Sequence, residues 1–460
     1  MRKRALTTPA VAVAFLLVLA FPSIPATAQH SPEPGVASPA GMPGVTTVPA
    51  AARPSPTFSA DAATEAYLAR IDATAKARSD AYFEGGYWLI LWNFLYGAAV
   101  MMLLLGLRWS ARMRDVSERV THLKPAHTFV YWAFFTVATT VLTFPLTVYE
   151  GFVREHRYGL ATQTFGPWLI DQGKALLISI VFGGLLVVAL FGIVRRLERT
   201  WWIWGAAVTV LFLMFGALIA PVFLEPIFNK VTRLEDPRIT QPILSMARAN
   251  GIPADDVYQI DSSRQTTRMS AHVSGLGTTM RISLNDNLLR RGSPEEIQSV
   301  MGHEMGHYVL NHVYKGIGVF AALIVGAFAA LQWALRRCLA RWGDRWRVHG
   351  IGDTAVLPLA GLLISTIFFV LTPVTNTITR TMEVEADLYG LNASGAPDGF
   401  AQAAIHLGEY RKMSPGPIEE FVFYDHPSGR SRIFAAMRWK AEHLSPVPAS
   451  APAPAAREER

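Results

Sequence analysis

Six long apolar stretches decide what this chain can fold into. Trp88–Leu107, Phe129–Val148, Ala175–Val194, Trp202–Leu224, Ile317–Leu335 and Ala355–Val374 run almost free of charge. Each has the length of about twenty residues at which a helix crosses roughly 30 Å of hydrocarbon. In lipid every backbone polar group must be satisfied within its own segment, so such stretches are read as transmembrane helices. Charged residues make up only 17% of the chain, where a globular domain carries about a quarter. The expected fold is therefore an all-α polytopic membrane protein with six spans, or seven if the N-terminus supplies another.

That N-terminus has its own grammar. Met1-Arg2-Lys3-Arg4 is basic, Val11 to Phe21 is a short apolar core, and Ala26-Thr27-Ala28 offers small residues for cleavage. Residues 1–28 are read as a signal peptide, with an uncleaved first span as the alternative. Both readings place residue 30 outside. A Pro/Ala-rich linker is expected over 29–60, an N-terminal helical membrane domain over 61–224, and a second unit over 225–440 that contains a transmembrane hairpin at 316–375. Residues 441–460 read as a disordered tail. Asp61 to Phe83 has helical character ahead of the first span.

Basic residues set the orientation. Arg108, Arg112, Arg114, Arg119 and Lys124 follow the first span, Arg195, Arg196 and Arg199 the third, and Arg336, Arg337, Arg341, Arg345 and Arg347 the fifth. Positive residues in short loops stay cytoplasmic. Residues 225–315 and those after 375 then face the other side, periplasmic in a bacterial inner membrane. The net charge of +7 is thus topological, and a nucleic-acid partner has no support. Cys338, the sole cysteine, permits no intramolecular disulfide.

Chemistry enters at His303-Glu304-Met305-Gly306-His307. On a helix, residues i and i+4 share a face, so both imidazoles can reach one metal ion. Zinc bound through neutral ligands lowers the pKa of its water, and Glu304 beside it can act as general base. Ser293-Pro294-Glu295-Glu296 is a capping box with proline at the first helical position, which puts the motif on a helix. Two histidines leave the ligand set incomplete. His312, five residues past His307, points off the metal face and is read as supporting or structural.

The third donor is expected downstream, in Thr379-Arg380-Thr381-Met382-Glu383-Val384-Glu385-Ala386-Asp387. Arg380, Glu383 and Asp387 share a helical face, while Glu385 is turned about 200° from Glu383. Glu383 is the chosen ligand, and Asp387 can accept the free N–H of a ligating imidazole. Thr279 to Leu284 reads as a strand able to take an extended peptide alongside it.

The combination of His303-Glu304-Met305-Gly306-His307, Glu383 to Asp387 behind Arg380, and His426-Pro427 resembles the integral-membrane zinc proteases of the type I CAAX prenyl protease family and the related heat-shock membrane protease. The resemblance covers about residues 80 to 440. It implies one Zn2+ per chain held by His303, His307 and Glu383, a base role for Glu304 and a supporting role for Asp387. It further implies that His426 and Arg432 assist substrate binding or the oxyanion. Thr379-Arg380 stands where the family has Ser-Arg, and Ser270-Ala271-His272 where it usually has Asn-Ala-Tyr.

These readings converge on a membrane zinc metalloendopeptidase with a gluzincin-like unit and a small β element. Its partners are a peptide or membrane-protein substrate and the lipid bilayer, and its oligomeric state is not written in the chain. A quality-control protease for misfolded proteins is an alternative within the same chemistry. A scaffold or transporter with a structural metal is an alternative outside it. Closed structural zinc sites use four protein ligands, and Cys338 lies across the membrane from the motif.

Overall fold

The computed structural model describes residues 47–275 and 280–444. The segment read as a signal peptide lies outside these residues, as does the tail after 444. From residue 47 the expected linker is packed, not free. Ala52 is fully buried, and its carbonyl accepts a 2.6 Å hydrogen bond from Lys440.

Helix α1 (Ala60–Leu68) leads into α2 (Ala73–Gly106), the first long helix. Asp72 caps α2 by accepting from the Thr74 and Ala75 amides at 2.8 and 3.0 Å. At 34 residues α2 is roughly 51 Å long, more than a bilayer needs, so its first turns stand clear of the lipid. Amphipathic α3 (Trp109–Val120) follows, then spans α4 (Lys124–Arg157) and α5 (Phe165–Arg196). Helix α6 (Trp201–Ile219) passes through a π-helical turn at Ala220–Leu224, and its continuation to Phe228 is bent by 56°. A π-turn opens the helical ladder and permits such a bend.

The chain then builds a small sheet and a helical unit. Strand β1 (Val231–Arg233), helix α7 (Pro237–Ala249), β2 (Val257–Ile260), β3 (Ala271–Ser274) and β4 (Arg281–Asn285) precede α8 (Asp286–Arg291) and α9 (Pro294–Val309). The sheet order is β1-β2-β4-β3, with β2 and β4 parallel and the other pairs antiparallel. The strand expected over 279–284 is β4, and it is interior. Its apolar residues Ile282 and Leu284 are fully buried, so it cannot accept a further strand. Among the described residues the edges are β1 and β3, and β3 lies against α9.

Two long helices return through the membrane, α10 (His312–Trp346) and α11 (Leu357–Ser394), followed by α12 (Pro397–Leu407), α13 (Pro417–Phe423) and α14 (Gly429–Leu444). Among the described residues five single helices are long and apolar enough to cross a bilayer, and the bent α6 makes six. Their outward faces carry apolar side chains such as Leu177, Val141 and Val370, exposed by 64 to 69%. Inside, one core joins Leu104 and Leu105 of α2, Trp132 and Phe135 of α4 and Phe191 of α5 to Phe328 of α10 and Phe368 of α11. The membrane segments of both expected units therefore share one core.

The three basic loops meet at one end. Ser110 donates to the Ala355 carbonyl at 2.8 Å, Arg114 pairs with Asp353 at 2.6 Å, and Arg195 donates to the Gly352 carbonyl at 3.1 Å. The sheet, α9 and α12 to α14 occupy the opposite end. Helix α11 runs between the two ends without a break. Glu383 lies nine residues beyond Val374, roughly 14 Å further along the helix axis.

Candidate metal centre

Helix α9 starts as its sequence demands. Ser293 accepts from the Glu296 amide, the Glu296 carboxylate accepts in turn from the Ser293 amide at 2.8 Å, and Pro294 opens the first turn. Its apolar residues Ile297, Met301 and Met305 bury against the sheet side. This leaves His303 and His307 facing α11.

The two helices approach through residues with almost no side chain. A Cβ on Gly302 would lie 2.9 Å from the Gly390 carbonyl, and one on Gly390 would lie 2.7 Å from the His303 amide nitrogen. Gly306 packs on Ala386 in the same way. That approach brings Glu383 onto the two imidazoles. His303 Nε2 is 3.2 Å from Glu383 Oε2, His307 Nε2 is 3.5 Å from Glu383 Oε1, and the imidazole Nε2 atoms are 3.1 Å apart. Donor atoms of all three residues fall within 4.8 Å of one another, the one such group found among the described residues.

Each imidazole is oriented by its other nitrogen. His303 Nδ1 lies 2.8 Å from Asp387, which Arg432 grips with both Nε, at 2.9 Å, and Nη2. His307 Nδ1 lies 3.0 Å from Nδ1 of His312, whose Nε2 is 3.0 Å from Glu385. Such contacts fix the tautomer and leave Nε2 free to ligate. Glu385 is half-exposed and also pairs with Lys315 at 3.0 Å. Glu383 Oε2 is buried with no well-aligned hydrogen bond, although Nε2 of His303 is 3.2 Å and Nε2 of His426 3.3 Å away. A buried carboxylate oxygen left unsatisfied among imidazole nitrogens is what a cation would complete, so these residues fit a zinc ion.

Glu304 borders a cavity of about 230 Å³ beside these groups, with His303, His426, Arg432, Ser270 and Ala271 also in its wall. Burial pushes the Glu304 carboxyl up to about 7, with Glu383 nearby adding to the rise and His303 and Arg432 opposing it. Burial holds His307 down to about 4, which keeps it neutral as a ligand must be.

The structure thus brings together His303, Glu304, His307, Glu383, Asp387, His426 and Arg432. Arg432 is not a free donor, because Asp387 engages its guanidinium. Arg380 turns away from the metal group. It donates to the carbonyls of Glu420, at 2.8 Å, and Tyr424, and so braces the segment that carries His426. Sequence reasoning missed the glycine contact between α9 and α11, although Gly302 and Gly306, and Ala386 and Gly390, each repeat at i and i+4. It also missed Asp425, which lies 2.8 Å from His426 Nδ1.

Comparison with known proteins agrees with this geometry. Residues 59–230 match the family described as CAAX prenyl protease N-terminal, five membrane helices, and residues 233–440 match peptidase family M48. The chain is 32% identical over 302 residues to the uncharacterized metalloprotease YhfN of Bacillus subtilis, covering 65% of this chain and 70% of that protein. It is 28% identical over 315 residues to CAAX prenyl protease 1 of Saccharomyces cerevisiae, covering 65% and 69%. The crystal structure of S. mikatae Ste24p shares the fold, with a TM-score of 0.67 at 22% identity over 80% of this chain and 89% of that one. With a matching family over most of its length and a 32% identical relative, the chain belongs to the CAAX prenyl protease family of M48 peptidases and is a membrane zinc metalloendopeptidase.

Proposed function

We propose that this protein cuts extended polypeptide segments at the extracytoplasmic face of a bacterial inner membrane, with His303, His307 and Glu383 holding one Zn2+ and Glu304 as general base. The observation that carries the reading is the convergence of the three donor atoms with the Glu304 carboxylate beside them. A bound zinc ion supplies Lewis acidity and lowers the pKa of water toward neutrality. Glu304 takes a proton from the attacking water and delivers it to the leaving amide nitrogen. Its elevated pKa suits both steps, since a base near neutrality can accept and then return a proton.

Substrate enters along β3. The strand pairs with β4 on one side only, and Ala271 at its start borders the same cavity as Glu304, so a peptide added at this edge runs past the base. His426 lies where it can donate to the carbonyl oxygen as charge develops. Arg432 acts through Asp387 by holding His303, and so positions a ligand without touching substrate. The extracytoplasmic setting is supported by the thirteen basic residues of the three loops at the opposite end. It favours membrane-protein or misfolded chains as substrates. A second reading, prenylated C-terminal peptides, is supported by the names of the relatives and needs the opposite orientation.

Glu304→Gln tests the chemistry. It is expected to keep zinc and fold while losing about a hundredfold to ten-thousandfold in peptide hydrolysis. Near-normal turnover by the purified variant would overturn the assignment.

A further inference from the structure

At the end of the bundle opposite the metal centre, a cavity of about 430 Å³ opens among the basic loops. This volume is within the roughly 300–1,000 Å³ of small-molecule sites. Its wall is polar. Arg114 and Glu118 come from α3, Lys124 and His127 from the start of α4, Arg195 from the end of α5, and His349 and Asp353 from the turn before α11.

The cations of this wall are unevenly partnered. Arg114 is neutralised by Asp353 at 2.6 Å and Asp115 at 2.7 Å. Arg195 donates to the Gly352 carbonyl and the Thr128 hydroxyl, both at 3.1 Å. Among the described residues, neither Arg195 nor Lys124 has a carboxylate within ion-pair distance, and Glu118 is the one wall carboxylate without a paired cation. Three cations, Arg114, Lys124 and Arg195, stand with three carboxylates, Glu118 and Asp353 in the wall and Asp115 against Arg114, so the cations without an ion-pair partner are Lys124 and Arg195, and imidazoles at His122, His127 and His349 complete the set. Guanidinium, ammonium, imidazole N–H and the Thr121 and Thr354 hydroxyls together form a donor-rich recess for an anion with several oxygens.

Depth in the membrane narrows the ligand. Lys124 opens one span and Arg195 closes another, so the recess lies at the level where spans end. Cationic recesses between span ends on the positive-loop side receive phosphate headgroups. We propose that this cavity binds a phosphate group, carried either by an anionic lipid headgroup or by a water-soluble phosphate ester. The proposal does not rest on the hydrolytic reading, because the metal centre is at the other end.

Purified full-length protein in detergent is titrated with phosphatidylglycerol, phosphatidylcholine and glycerol 3-phosphate, and binding is read by native mass spectrometry. The Lys124→Gln/Arg195→Gln double variant is expected to lose about tenfold or more in affinity for the phosphate-bearing ligand. Arg341→Gln, an exposed charge on the same side but outside the cavity, is expected to lose little. Because Arg195 also holds a loop, Lys124→Gln alone provides a variant that leaves packing intact, with an expected loss of about threefold. Zinc content serves as the check on fold. Preference for phosphatidylglycerol over phosphatidylcholine identifies a lipid ligand, and binding of glycerol 3-phosphate without a lipid preference identifies a soluble one. Absence of binding by all three, or equal losses in the cavity variants and Arg341→Gln, overturns the proposal.

Discussion

Glu383 and Glu385 are two residues apart, and the helix sends them to different tasks. Glu383 is buried among the imidazole Nε2 atoms, while Glu385 is half-exposed and held by His312 and Lys315. Glu383→Ala is therefore expected to lose bound zinc, and Glu385→Ala to keep it, with metal content per purified chain as the measurement. The reverse pattern would assign the wrong carboxylate. Protons add a second expectation. Burial works to lower the pKa of His303, but Asp387 and Glu383 outweigh it and raise the group to about 10. At neutral pH this imidazole carries a proton that zinc must displace, whereas His307, held near 4, has none to lose. Zinc binding at pH 7 is thus expected to release about one proton from this pair, and affinity to fall by about tenfold per pH unit as the solution is made more acid. Calorimetry in buffers of different ionisation enthalpy measures it, and zero release at pH 7 would contradict it.

At the scale of elements, the contact between α9 and α11 is the decisive one, because it sets the distance between ligands on different helices. Gly390→Ala would drive a methyl group against the His303 backbone. It is expected to cost about 1–3 kcal/mol of stability and to weaken zinc retention. Gly318→Ala, on α10 with open space around it, is expected to be neutral or slightly stabilising. Thermal unfolding and zinc content of the two variants decide whether the glycines act through packing. This contact also shows what sequence can carry. The spans, the helix bearing His303 and His307, and the shared face of Glu383 and Asp387 were legible, because length, capping and periodicity are local properties. That β4 is interior and β3 an edge was not legible, since strand order depends on pairings between residues far apart in the chain. The task of Arg380 was not legible either: it shares a face with Glu383, but its long side chain reaches the carbonyls of Glu420 and Tyr424. The final burial of Ala52 was hidden by a Pro/Ala composition that reads as linker wherever no partner surface is known.

For the whole molecule, orientation in the bilayer decides which substrates the metal centre meets. The three basic loops lie together at one end, and the positive-inside rule predicts that this end is cytoplasmic. Reporter fusions at Gly350 and after His443 are expected to give cytoplasmic activity only at the first and periplasmic activity only at the second. The opposite result would turn the enzyme toward cytosolic substrates. Whichever side it faces, the unbroken α11 ties the metal centre to the lipid surface. Glu383 stands roughly 14 Å past the last apolar turn of that helix. A chain anchored in the same bilayer needs about four extended residues, at roughly 3.3 Å each, to climb that far. Cleavage is expected to fall off for bonds closer to the anchor than this, which a series of substrates with shortened spacers would measure. The membrane thereby acts as a ruler, and selection by height precedes any selection by sequence.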